Sequence, residues 1–104
     1  MATTLNPGDK VWFDSMRMAF TVRCSNERFA ICTRPFALKK TVLYCIVDLV
    51  EKVRGPEDLV FGFGAETDQQ CQEMLERVTK GESKVSYRRV LPLVIQRILP
   101  KPLG

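Results

Sequence analysis

The chain contains no histidine. Serine–histidine and cysteine–histidine nucleophile pairs are therefore excluded within it, because each needs an imidazole in hydrogen-bond reach of the attacking group. Cys24, Cys32, Cys45 and Cys71 are separated by 7, 12 and 25 intervening residues and include no Cys-x-x-Cys pair. Without histidine, a zinc site would need all four thiolates or nearby carboxylates, at a spacing such sites do not use. The cysteines read as reduced, mostly buried packing residues, since a free thiol behaves as a small hydrophobe. No metal and no cofactor are expected.

Other chemistries also lack a required part. Ser15, Ser25, Ser83 and Ser86 lie in no motif, and the carboxylate pairs Glu57-Asp58 and Glu73/Glu76 read as a turn and an exposed helix face. Gly62-Phe63-Gly64 stands before a helix, where a glycine loop can cradle phosphate. The pattern stops at Gly-x-Gly, with Thr67 where a third glycine would stand and with Glu66 and Asp68 bringing negative charge. A tight strand-to-helix turn is the reading, and the protein is expected not to be an enzyme.

Long apolar runs are missing too. None approaches the ~20 residues of a membrane span, and Met1-Ala2-Thr3-Thr4-Leu5 lacks the basic and then apolar order of a signal peptide. A cytoplasmic protein without membrane contact is expected. The apolar fraction of 45% beside 27% charged residues excludes disorder as the main state. At 104 residues a single domain over 1–104 is expected, with an ordered core of about 8–97 and a loose tail from Pro100.

What is present begins with a hairpin. If Asn26 and Glu27 make the turn, Cys24 faces Phe29 and Val22 faces Ile31. One face then carries Phe20, Val22, Cys24, Phe29 and Ile31, and the other carries Thr21, Arg23, Arg28, Ala30, Cys32 and Arg34. Such period-two sorting predicts a half-buried antiparallel pair with Arg23, Arg28 and Arg34 on one exposed surface.

Asn6-Pro7-Gly8-Asp9 predicts a turn into a short strand at Lys10-Val11-Trp12-Phe13. Thr41 to Val50 is apolar in both alternating sets and predicts a central strand covered on both faces, with Asp48 near its end or bonded to a basic neighbour. Gly55-Pro56-Glu57-Asp58 predicts a turn, followed by a strand at Leu59 to Phe63. Thr67 to Lys80 predicts a helix: Thr67 and Gln70 suit a capping box, Cys71, Met74, Leu75 and Val78 form one stripe, and Gly81 supplies the stop. A last strand from about Val85 to Ile95 carries Pro92, which suits an edge or a bulge. The sum is an α+β domain: a curved antiparallel sheet of five to six strands with one amphipathic helix, whose opening looks like an SH3-like or OB-like partial barrel.

The net charge of +4 is distributed unevenly, with an acidic middle between basic flanks. Lys39 and Lys40 follow the hairpin arginines, and Lys84, Arg88, Arg89, Arg97 and Lys101 form a second basic set with Tyr87 among them. Arg23, Arg28, Arg34, Lys39, Lys40, Arg88 and Arg89 are the candidate binding residues, with carboxylates or phosphates as their targets. Nucleic-acid binding would also need stacking platforms, for which Trp12, Tyr44 and Tyr87 are the candidates. The apolar Val90 to Ile95 stretch either completes the core or pairs as an edge strand, with a copy of the chain or with a partner.

Several strings occur together: Arg28-Phe29-Ala30-Ile31-Cys32-Thr33-Arg34-Pro35-Phe36, Thr41-Val42-Leu43-Tyr44 with Asp48, Val53-Arg54-Gly55-Pro56, Gly81-Glu82 and Val85-Ser86-Tyr87-Arg88. Over about residues 10 to 95 they resemble a group of small uncharacterised proteins found in phages and prophages of bacteria. The resemblance carries over no catalytic residue. It implies a mobile-element accessory protein that binds and modulates or inhibits a host protein complex, such as a defence system. Direct RNA or DNA binding through the basic hairpin face is the alternative.

Overall fold

The Asn6-to-Asp9 turn is closed from both sides. Asp9 N–H donates to the Asn6 carbonyl at 3.0 Å, and Asn6 N–H donates to Asp9 Oδ2 at 3.0 Å. Gly8 sits at φ +94°, where a side chain would be strained. The structure is a computed structural model that describes residues 4–14, 16–36, 41–55, 58–59, 67–81 and 91–102. The turn delivers the chain into β1 (Lys10–Phe13), which alternates Val11 and Phe13 inward with Lys10 and Trp12 outward.

The hairpin consists of β2 (Phe20–Ser25) and β3 (Phe29–Phe36). Its turn lies one residue later than Asn26-Glu27. Asn26 N–H donates to the Phe29 carbonyl at 2.9 Å, so Glu27 and Arg28 form the tip. The cause is the Asn26 side chain, whose Oδ1 accepts from the N–H groups of Arg28 (2.9 Å) and Phe29 (2.7 Å). Pairing starts as Ser25↔Ala30 and Cys24↔Ile31, then shifts by one to Val22↔Cys32 and Thr21↔Thr33. This bulge at Arg23 inverts the side-chain phase of β2. Phe20 and Val22 therefore join Ala30 and Cys32 on the inner face, while Cys24 joins Phe29 and Ile31 on the outer one. The single apolar face is thereby corrected: the hairpin is buried on both sides.

β4 (Thr41–Asp48) pairs with β3 along its whole length and is central, with Cys45 and Val47 inward and Ile46 outward. β5 (Val53–Arg54) and β6 (Asp58–Leu59) both pair with β4. Residues 60–66, including Gly62-Phe63-Gly64 and most of the strand expected there, lie outside the described residues.

Helix α1 (Asp68–Thr79) has the expected cap and stripe. Gln70 N–H donates to Thr67 Oγ1 at 3.1 Å, Thr67 N–H donates to Gln70 Oε1 at 3.2 Å, and Gly81 ends the helix at φ +72°. Cys71, Leu75 and Val78 pack on Cys24, Phe29, Ile31 and Ile46, covering the outer side of the hairpin and β4.

The strand expected over Val85 to Ile95 is described only in its last part. Residues 82–90 lie outside the described set, and the rest is split into β7 (Leu91–Pro92) and β8 (Ile95–Leu99). At the break, Leu93 N–H donates to the Lys52 carbonyl at 2.9 Å, while Asp14 N–H donates to the Val94 carbonyl at 2.8 Å. β7 pairs with β5 and β8 with β1, so one short stretch joins both ends of the order β7-β5-β4-β3-β2-β1-β8. The fold is α+β: a curled antiparallel half-barrel with one helix among the described residues. Among the described residues eight strands, three of them dipeptides, stand where five to six were expected.

Leu5, Val11, Phe13, Phe20, Val22, Ala30, Cys32, Cys45 and Val47 fill the inside of the curl. Leu93, Ile95 and Ile98 lean on them, so the C-terminal stretch completes the core. Each fully buried Phe or Leu contributes about 1.5–3 kcal/mol. No described helix is long and apolar enough to cross a membrane.

Candidate functional site

The three hairpin arginines do not share a surface. The bulge aims Arg23 at the helix, where Nε and Nη2 donate to Asp68 Oδ1 at 3.2 and 2.7 Å and Nη1 reaches Thr33 Oγ1 at 3.4 Å. Asp68 is favoured there by the positive end of α1. Arg28, at the turn tip, lies 4.9 Å over the Phe29 ring and donates to both carboxylate oxygens of Asp48. Arg34 belongs to the inner face, 5.8 Å over the Phe20 ring, with Nη1 3.5 Å from the Met18 sulfur. The expected common cationic face is thus corrected: each arginine serves a different internal contact. Lys39, Lys40, Arg88 and Arg89 lie outside the described residues.

Among the described residues, Asp48 accepts from Arg28, Val50 and Glu51. Burial pushes its pKa up, but the Arg28 guanidinium and the N–H groups of Glu51 and Val50 together hold it below the usual carboxylate range. This is a structural duty, ending β4 and fixing the next turn.

Arg54 carried no signal in the sequence. It is 6% exposed, paired with Val47 across the strands, and lies 5.1 Å over the Phe13 ring. Its Nη2 is 3.9 Å from the Met16 sulfur, and its Nε has no hydrogen-bond partner. The negative face of Phe13 offsets part of that cost.

The cysteines are all free and buried. Burial pushes the Cys24 thiol up to about 12, and its Sγ donates to the Cys71 carbonyl at 3.2 Å. A thiol so shifted is a packing group, not a nucleophile. No cluster of three or more metal-ligating side chains occurs among the described residues.

One surface remains. On the outer side of β1 and β8, Trp12 and Arg97 are paired residues, and the guanidinium lies 4.2 Å from the centre of the indole. The ladder then shifts, Phe13 pairing with Ile95, so Gln96 is an extra residue in β8. That bulge turns the consecutive side chains of Gln96 and Arg97 both outward. Asp14, at φ +49°, reverses the chain after β1, and Met16 N–H donates to the Phe13 carbonyl at 3.0 Å. Met16 and Arg17 thereby come over the same place. Trp12, Met16, Arg17, Gln96 and Arg97 line an open cleft of about 510 Å³, with two guanidiniums and no carboxylate among the described residues. Lys10 is exposed on the outer side of β1, two residues from Trp12.

Of these residues, sequence reasoning had singled out Trp12 as a stacking platform and Arg97 as part of the second basic set, without joining them. No family model, no curated protein and no solved structure matches the chain.

Proposed function

We propose that the protein is a small, non-catalytic binding module that engages an anionic surface through the β1–β8 cleft, using Arg17, Arg97 and Lys10. The resemblance to phage and prophage proteins supports a cytoplasmic role on host machinery. The observation that carries the reading is the Arg97 guanidinium laid on Trp12. Stacking fixes its plane at little further entropic cost and leaves its N–H edges for a carboxylate or phosphate. Among the described residues, neither Arg97 nor Arg17 has an ion pair. Arg23 and Arg28, by contrast, already face Asp68 and Asp48.

Retention on immobilised heparin tests the reading. The double variant Arg17→Ala/Arg97→Ala should elute at clearly lower salt than the wild type. Arg23→Ala/Arg28→Ala, once shown to be folded, should elute close to it. The reverse order would return the contact surface to the hairpin.

A further inference from the structure

We infer that the anionic partner is a single-stranded nucleic acid, one base of which stacks in the cleft at Trp12 and Arg97 while Arg17 and Arg97 hold flanking phosphates. This rests on the cleft being the contact surface, and it names what the cleft takes.

Three features of the cleft converge on this ligand. The first is shape. An open cleft of about 510 Å³ falls within the roughly 300–1,000 Å³ of small-ligand sites, so it holds a planar base without enclosing it. An open wall lets a chain run through, as a strand must. The second is the pairing of an indole with a guanidinium. Every base has a π-face, and aromatic and arginine planes together are the usual platform for bases without sequence preference. A carboxylate on an acidic peptide would use only the N–H edges of the guanidiniums and leave the outer face of the stacked Arg97 plane uncovered, where a base can lie. The third is charge. Arg17, Arg97 and Lys10 lie around the indole on one side of the sheet, and among the described residues no acid lines the cleft. Phosphates on either side of a stacked base meet cations, not repulsion.

The β8 bulge ties these features to the fold. A regular ladder would alternate Gln96 and Arg97 between the two sides of the sheet. The extra residue sends both outward, putting an amide next to the platform, where it can bond a base edge. Gln96 would read the base weakly, while the stack and the two arginines bind any base.

Trp12 is the single tryptophan of the chain, so its fluorescence reports this site alone. The experiment titrates wild-type protein at low salt with dT8 and rU8 oligonucleotides, with dTMP and UMP, and with a poly-glutamate peptide. Expected are quenching of Trp12 by one or both oligonucleotides, little quenching by mononucleotides, and none by poly-glutamate. Affinity should fall with salt at a log–log slope of about −1.4, from two neutralised phosphates at about −0.7 each on a single strand. Trp12→Ala, followed by anisotropy of a labelled strand, should weaken binding about tenfold or more. Trp12→Phe should recover much of that loss. Arg17→Ala/Arg97→Ala uses exposed positions and so tests the site without depending on how Trp12 packs.

Retention of wild type on heparin with no quenching and no strand binding would overturn the nucleic-acid inference and leave the cleft as an anion-binding surface. Equal affinity for mononucleotides, or equal quenching by poly-glutamate, would also overturn it. Absence of both heparin retention and strand binding in the wild type would remove the cleft reading as well. Strand binding unchanged in Arg17→Ala/Arg97→Ala would place the strand elsewhere and sink the inference.

Discussion

Arg28 and Asp48 join the hairpin tip to the end of the central strand: Arg28 Nη2 donates to Asp48 Oδ2 at 3.0 Å, and its Nε lies 3.3 Å from each oxygen. Asp48 is buried and Arg28 half exposed, so the pair is neither a surface bridge nor a sealed one. Asp48 also accepts the N–H groups of Val50 and Glu51 at 3.0 Å each. Asp48→Asn should therefore cost about 1.5–3 kcal/mol at neutral pH, the range for hydrogen bonds to a charged group.

The pH dependence has a fixed sign. The folded Asp48 carboxyl titrates below its unfolded value, so its contribution is present above the unfolded pKa of about 3.9 and is lost as pH falls through the folded one. Urea unfolding of wild type and Asp48→Asn should show a stability gap at pH 6 that narrows toward pH 3. A gap independent of pH would mean that the charge on Asp48 contributes nothing.

The parts of the fold legible in the sequence were those whose signals are local. Thr67 and Gln70 are three residues apart and cap the same helix turn they predict. The stripe of Cys71, Leu75 and Val78 lies within two turns of one helix. Strand β4 announced its two-sided burial through its own composition. The bulge at Arg23 had no such signal, because one extra residue leaves the string Phe-Thr-Val-Arg-Cys-Ser looking like regular alternation. Its effect was large: it moved Cys24 to the opposite face from Val22 and turned Arg23 toward α1. The carboxylates that absorb Arg28 and Arg23 are 20 and 45 residues away, so only the folded chain could show those arginines to be engaged. The cleft is a similar case, since Trp12 and Arg97 come from opposite ends of the chain.

Asn26 links the same hairpin to the helix. Its Oδ1 takes two backbone N–H groups of the turn, and its Nδ2 donates to Thr79 Oγ1 at 2.8 Å. The two functions separate by substitution. Asn26→Ala loses all three bonds and should cost about 1–3 kcal/mol, while Asn26→Asp keeps the acceptor and should cost about half as much. In a domain of this size about 1 kcal/mol moves Tm by roughly 4–8 °C, which thermal melts resolve. Equal destabilisation by both variants would place the weight on the Thr79 contact, not on the turn.

The buried thiols make the protein sensitive to alkali. Burial raises the pKa of Cys24, Cys32 and Cys71, that of Cys24 to about 12. An acid whose folded pKa exceeds its unfolded one stabilises the fold below the unfolded value, here about 8.5, and loses that contribution as pH climbs toward the folded value. Stability should therefore decline from about pH 8.5 upward. At pH 8 a thiol reagent should label almost nothing in the native protein and all four cysteines after unfolding in guanidinium. Rapid labelling of Cys24 in the native state would contradict its burial against Cys71.

Deleting Gln96 offers a sharper test of how the cleft is built. Phe13 pairs with Ile95 and Trp12 with Arg97, so Gln96 alone is unmatched on β1. Its removal would restore a regular ladder with Ile95 inward, Arg97 outward and Ile98 inward against Val11. Every core assignment of β8 would survive, and the change in stability should stay within about 1 kcal/mol. Deleting Ile98 instead would force Leu99 into its place against Val11 and pull Lys101 out of register with Asp9, so it should destabilise clearly more. Urea unfolding of the two deletions compares these effects directly. If the Gln96 deletion proves as damaging as the Ile98 deletion, the bulge is a requirement of barrel closure and not an insertion that shapes the cleft.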